Sequence, residues 1–379
     1  MTGPLRGVVV TELAGLGPAP FCGMVLADLG AKVIRVDRPG GASVPIGSVG
    51  TDVMNRGKQS VAVDLKSAEG AAVVLRLVEG SDALIEGFRP GVAERLGVGP
   101  AECLARNPSL GYGRMTGWGQ TGPMADMAGH DIDYIALSGA LHSIGPEERP
   151  IPPLNLVGDF GGGGMLLAMG LLAAIIHARS SGEGQVVDAA MVDGSALLMA
   201  SHHGFVADGW WVPERASNLL DGAAPFYTTY ETSDGEHVAV GALEPQFFGA
   251  LLDGLGLGPE DVGAQNDREG WPAMRALFAA RFKTRTRDEW ADHFDGTDAC
   301  VAPVLSMSEA ADHPHNSGRG TFLEVEGVSQ PAPAPRFSKT PAGVDRGPAA
   351  PGADTVAVLA AAGFSDGEIG RLRETGAIL

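Results

Sequence analysis

Cysteine is scarce in this sequence. The three residues present among 379, Cys22, Cys103 and Cys300, are scattered and odd in number. They supply neither a disulfide framework nor the paired spacing of a zinc site, so a reducing compartment, the cytoplasm, is expected. Positive charge is short as well: 27 Lys and Arg stand against 46 Asp and Glu, a formal net charge of −19. That balance argues against a nucleic-acid partner, whose phosphates need clustered Lys and Arg. A small anionic ligand then needs a local basic pocket. Long apolar runs are also missing. The longest, from Met165 to Ile176, is interrupted only by Gly170 and falls well below the ~20 residues that span a bilayer. It predicts a buried core helix and no membrane association. The first residues lack the apolar core and cleavage site of a signal peptide. The closing Gly-Ala-Ile-Leu is not a peroxisomal address, and no internal repeat is found.

Apolar residues are plentiful, at 44%, and the 56 Gly and 26 Pro predict many loops and tight turns. A chain of this length holds one large domain or two. Its first third alternates strand and helix patterns. Strands are expected at residues 7–13, 31–37, 60–65, 82–86 and 110–116, with helices at 20–29 and 67–79. This alternation predicts an α/β fold with a parallel sheet. A dinucleotide fingerprint is incomplete: Gly15-Leu16-Gly17 follows the first strand, but Pro18, Ala19 and Pro20 stand where the third glycine belongs. A Rossmann-like sheet without a nicotinamide cofactor is therefore expected. Arg38, Lys66, Arg89 and Arg95 fall just after strand ends or on the following turns. Ligands of open α/β sheets bind at that edge, and four cations gathered there suit phosphates.

Beyond this comes a long helix pattern at 161–180, a strand at 185–188 and a helix at 189–200. Met191 and Met199 read as core filler, and His202-His203, without a ligand at metal spacing, as structural. From about residue 220 the texture changes. A hairpin is expected at 226–232 and 237–241, then three helix patterns and a strand at 300–305, which together make a small α+β domain. Residues 309–320 read as loop, and Gln330 to Pro335 as a linker unable to join a sheet centre. The domain division expected is 1–200 with 336–379 for the large domain, 201–219 as linker, 220–308 for the small domain and 309–335 as return linker.

The chemistry concentrates between Gly129 and Gly164. His130-Asp131-Ile132-Asp133 places a histidine beside carboxylates. Asp159 closes a strand-like apolar run before the glycines Gly161 to Gly164 and a helix pattern. Asp159 alone fits a helix N-cap, and His130 alone a satisfied structural histidine. Together they fit two titratable groups brought to one pocket, as acid–base chemistry requires. Glu244, just before Pro245 and a helix pattern, fits an N-terminal carboxylate favoured by the helix dipole.

Several stretches, in order along almost the whole chain, resemble the family III CoA-transferase group of CaiB/BaiF type, and within it the racemase branch. They are VTELAGLGPAP near the start, VIRVDRPG ending at Gly40, VDLKS ending at Ser67, EGFRPGVAERLG ending at Gly97, MTGWGQTGP ending at Pro123, GHDIDY ending at Tyr134, NLVGDFGGG ending at Gly163 and GALEPQFF ending at Phe248. The resemblance implies a Rossmann-like large domain, a small domain and an interlocked homodimer. It implies an acyl-CoA thioester as substrate, with His130 and Asp159 as two bases and Glu244 supporting the histidine. The CoA positions implied are Arg38, Val63, Asp64, Leu65, Lys66, Gly87, Phe88, Arg89, Arg95, Gly129, Asp131, Ile132, Asp133 and Tyr134. The activity implied is interconversion of (R)- and (S)-2-methylacyl-CoA through an enolate, with no metal and no cofactor beyond the CoA of the substrate. Backbone N–H groups of residues 159–162 are expected to hold the enolate oxygen, with the glycines letting the thioester approach. A transferase using Asp159 as nucleophile and a non-catalytic CoA-binding protein are the alternatives. The presence of His130, and Ala242 to Gln246 where many transferases have a glycine-rich loop, favour the racemase.

Overall fold

The computed structural model describes residues 3–41 and 48–379. They divide into two compact units, Met1–Gly139 with Pro153–Met199 and Ser317–Leu379, and Ala140–Pro152 with Ala200–Asn316.

The first unit is built on six strands: β1 Val9–Leu13, β2 Lys32–Asp37, β3 Gln59–Ala62, β4 Ala83–Glu86, β5 Gly111–Thr116 and β6 Gln185–Ala190. They pair in parallel in the order β3-β2-β1-β4-β5-β6. This is the doubly wound Rossmann order, in which the chain reverses direction between β1 and β4. The inner strands are covered on both faces, which is why they read as Val/Ile-rich runs rather than as alternation. Charges inside them are matched: Arg35 pairs with Asp37 at 2.8 Å, Lys58 with Glu12 at 2.7 Å, and Arg114 with Glu86 at 2.9 Å. Pairing of this kind is what makes a buried charge tolerable.

The second unit carries β7 Tyr227–Glu231, β8 His237–Gly241 and β9 Val301–Pro303, an antiparallel sheet in that order. The helices Pro245–Leu255, Trp271–Phe282 and Arg287–Phe294 accompany it. Phe226, Phe248, Trp271, Phe278, Phe282 and Trp290 form its aromatic core.

Three elements depart from the sequence expectation. Residues 309–320 are not loop. The helices Met307–Asp312 and Pro314–Arg319 lie there, the first opened by a capping box in which Ser306 Oγ accepts from Glu309 N–H and Ser306 N–H donates to Glu309. The Ser-x-x-Glu spacing is a sequence signal for such a start. The supposed linker from Gln330 overlaps β11, Val328–Pro331, which pairs antiparallel with β10, Phe322–Val325. Pro331 is tolerated at the end of a two-stranded ribbon, where its missing N–H costs no central hydrogen bond.

The third departure bears on chemistry. The stretch around Asp159 is neither strand nor helix cap. Leu156–Met165 is a π-helical segment that runs straight into the helix Leu166–Ser181. Together they make 26 helical residues, apolar and long enough by composition to cross a bilayer, with 44% of the most apolar window buried. Nor is the helix a wholly buried one. Leu167, Leu171 and Ile175 sit in the core, with Leu167 and Leu171 against Gly111 and Gly113 of β5. Met169 and Ile176, on another face, are 59% and 70% exposed.

Candidate active site

The π segment is held by close backbone packing. Cβ atoms added at Gly162, Gly163 and Gly164 would meet, within 3.1 Å, Ser195, Met191 or Pro18 and Phe21. The rings of Phe160 and Phe21 lie 4.8 Å apart. The glycine run therefore seats the π segment between the helices Pro18–Asp28 and Met191–Leu198. Gly162, Gly163 and Gly164 are spent on the protein's own contacts, not on a thioester's approach. A widened π turn of this sort frequently marks a functional site.

Asp159 projects from this segment toward the loop after β1. Gly17, at φ 68°, precedes the helix whose first residue is Pro18. A Cβ on Gly17 would stand 3.3 Å from Asp159 Oδ2. Glycine serves twice here, by allowing the left-handed turn and by leaving room for the carboxyl. Asp159 thus lies at the carboxyl end of β1, at the sheet's reversal point. Asn155 Nδ2 donates to Asp159 Oδ2 at 3.0 Å. The backbone N–H of Asp159 donates to Asp131 Oδ1 at 2.7 Å, so it is already committed and does not serve an enolate oxygen.

His130 lies at the mouth of the helix Asp131–Leu137. Its backbone N–H donates to Asp133 Oδ2 at 2.9 Å, and its side chain is exposed. Tyr134, 6% exposed, packs edge-on against Trp118 with ring centroids 4.7 Å apart. Burial, helped by the charges of Asp159, Asp133 and Asp131 and opposed by Arg89, pushes the Tyr134 hydroxyl up to about 12. Asp159 is itself pushed above the usual carboxylate range. Burial is the main cause; Asn155 opposes it, Asp131 adds to it, and the positive form of His130 opposes it. The structure therefore brings His130, Asp131, Tyr134, Asp159 and Arg89 into one electrostatic neighbourhood.

The cations line the same edge. Arg38 follows β2, Lys66 lies beyond the end of β3, and Arg89 and Arg95 follow β4. All four are exposed. Among the described residues none makes an ion pair with a carboxylate, whereas the arginines and lysine within the sheet do. Strand order puts Arg38 and Lys66 on one side of β1 and Arg89 and Arg95 on the other, flanking Asp159. Exposed cations without a carboxylate partner among the described residues, on both sides of a reversal point, suit an extended anion.

The model of CoA-transferase family III matches residues 5–355. The chain belongs to CoA-transferase family III. It is 49% identical over 369 residues to an alpha-methylacyl-CoA racemase of Mus musculus, covering 96% of this chain and 95% of that one. It is 48% identical to an alpha-methylacyl-CoA racemase of Homo sapiens over 373 residues, covering 97% and 96%. Among solved structures, a CaiB/BaiF family protein from Brucella suis superimposes with a TM-score of 0.82 at 28% identity, over 96% of this chain and all of that one.

In this family III chain the remaining expected positions fall unevenly. Asp64 and Lys66 are turned at least partly outward, but Val63 is a core side chain and Leu65 packs beside it. Phe88 is half-buried, and its N–H donates to Glu86 at 2.7 Å. Gly87 sits against Ala19, and Gly129 beneath Tyr134 and Trp118. Ile132 and Asp133 are exposed. Glu244 belongs to the second unit, at the N-cap of Pro245–Leu255, with its side chain exposed. Its charge contributes, after burial, to raising the thiol of Cys300. Asn155 and Gly17 were not anticipated as site residues. The signal for Asn155 is its place four residues before Asp159, one helical step, which a strand reading hides.

Proposed function

We propose that this chain interconverts the (R) and (S) epimers of 2-methylacyl-CoA thioesters by moving the α-proton. His130 and Asp159 take it from, and return it to, opposite faces of the α-carbon. The observation that carries this reading is the raised, half-buried carboxyl of Asp159 within the field of His130. Burial and the Asp131 charge move Asp159 in the direction a proton donor needs, relative to an exposed Asp. In one direction neutral His130 removes the α-proton and protonated Asp159 delivers its own to the other face. In the reverse direction imidazolium and carboxylate exchange those tasks. The two states hold the same number of protons, so each turnover leaves the pair set for the reverse reaction. Both transfers are made by side chains, and in this reading no metal or nicotinamide takes part.

Arg38, Lys66, Arg89 and Arg95 hold the CoA phosphates in this reading, by charge-assisted contacts. The working form is a homodimer. Met165, Met169, Leu172 and Ile176 follow one another at four-, three- and four-residue steps, a single helical stripe, and Ile176 is 70% exposed. A second copy covering that stripe accounts for an apolar face of this size. Glu244 of the partner subunit then supports His130. Three free thiols, with Cys300 exposed, suit a reducing compartment, and we place the protein in the cytoplasm.

A transferase would use Asp159 as nucleophile, forming an acyl anhydride with release of CoA. Incubating the protein with 2-methylacyl-CoA, a free carboxylic acid and hydroxylamine separates the two. The racemase reading predicts epimerised thioester, no CoA on the added acid and no hydroxamate formed on Asp159 of the protein. CoA transfer without epimerisation would overturn it.

A further inference from the structure

The cluster holds a second carboxylate that the proton relay leaves unused. Asp131 is 7% exposed and opens the helix Asp131–Leu137 next to His130. Its Oδ1 takes the Asp159 N–H at 2.7 Å. That approach depends on Gly158, where an added Cβ would collide with Oδ1. Its Oδ2 is buried and accepts no hydrogen bond from a described residue, and no Lys or Arg among the described residues pairs with it. A buried carboxylate without a cation is costly, so its place next to two reacting groups calls for a role.

We propose that Asp131 is a positioning residue for the proton relay: it fastens the π turn carrying Asp159 to the segment carrying His130 and so sets the separation of the two bases. The inference rests on the relay reading above. It moves Asp131 from the CoA contacts implied by family resemblance to the support of Asp159, because its described hydrogen bond is made to the backbone of Asp159. The electrostatics point the same way. The uncancelled Asp131 charge favours the protonated form of Asp159, although burial is the larger cause. The other groups that act on Asp159 are His130 and Tyr134 from the same segment and Asn155 from its own turn. The loop before Pro18 presents the Gly17 backbone to it, and the helix Met191–Leu198 meets the π segment through Gly194 and Ser195, neither of them titratable.

The test uses the full-length enzyme with Asp131→Ala, Asp131→Asn and Gly158→Ala. Rates of epimerisation, KM for a 2-methylacyl-CoA and CoA affinity by calorimetry are measured across pH. Asp131→Ala loses the clamp, and Gly158→Ala displaces it without altering Asp131. Each is expected to lower kcat by about 10²-fold, the scale of a misplaced reacting group, with KM and CoA affinity unchanged. Asp131→Asn keeps an oxygen to accept the Asp159 N–H and loses the charge. It is expected to recover most of kcat, with the acid limb of the pH profile displaced to lower pH. An increase in KM with kcat intact in Asp131→Ala would overturn the proposal and restore a CoA contact. So would an Asn variant as slow as Ala with an unmoved pH profile. Wild-type enzyme that epimerises nothing refutes the relay itself, a result distinct from either.

Discussion

At the residue scale the central group is Asp159. Burial raises its carboxyl above the ordinary range, and a raised carboxyl has a consequence for stability as well as for catalysis. The folded state binds that proton more tightly than the unfolded state. Stability therefore falls as pH rises from the ordinary carboxylate value through the raised one, and stays lower above it. Asp159→Asn keeps the size and escapes this loss. It is expected to match wild type in acid and to be more stable at neutral pH, as read by denaturant melts across pH. A difference that does not change with pH would mean the carboxyl is unperturbed. Catalysis runs the other way: Asp159→Asn and His130→Ala should each slow epimerisation by at least ~10²–10⁴-fold, the usual worth of a positioned acid or base. As candidates, His130 and Asp159 were legible in the sequence only as a pair, a histidine beside carboxylates and a lone Asp before a glycine run. Asn155 was not, and Asp131 was legible as a neighbour of His130 and, through the family resemblance, as a CoA position. Both act through a hydrogen bond that exists only once the π turn has formed.

At the element scale, the parallel sheet was legible and the π segment was not. Strands β1 to β6 announce themselves as short Val/Ile runs spaced by helix patterns, and local pattern is enough to find them. The helix pattern expected at 161–180 covers only the second half of Leu156–Met165, and the four consecutive glycines there lower helix propensity, so nothing local carries the helix back to Asp159. The segment's conformation is imposed by packing: Gly162 against Ser195 and Gly164 against Phe21 leave room only for glycine. Of the two helices after Ser306, Met307–Asp312 was missed through an unread capping box and Pro314–Arg319 through an unread proline at its first position. The sheet's carboxyl edge carries the next prediction. Arg38→Ala and Arg95→Ala should each raise KM for acyl-CoA more than they lower kcat, since these side chains lie among flanking cations and not in the Asp159 cluster. CoA affinity equal to wild type in both variants, by calorimetry, would place the phosphates elsewhere.

At the scale of the whole molecule, the exposed side chains of Met165, Met169 and Ile176, with half-buried Leu172 between them, are where the proposed dimer would close. Ile176→Lys with Met169→Lys leaves the buried face of the helix intact and is expected to turn a dimer into a monomer with much reduced activity. Sedimentation of the variant at the wild-type mass would show that the stripe is covered by something else. If the partner's Glu244 supports His130, refolding a mixture of inactive His130→Ala and Glu244→Ala chains should restore part of the activity in heterodimers. No recovery would put Glu244 outside the relay. Two bases acting on opposite faces of one α-carbon leave a signature in proton NMR of a single 2-methylacyl-CoA epimer with the enzyme in heavy water. Deuterium is expected at the α-carbon of both epimers, whichever one is supplied, because each base trades its proton with solvent between turnovers. Retention of the α-hydrogen, with CoA passing to an added carboxylic acid, would contradict the relay.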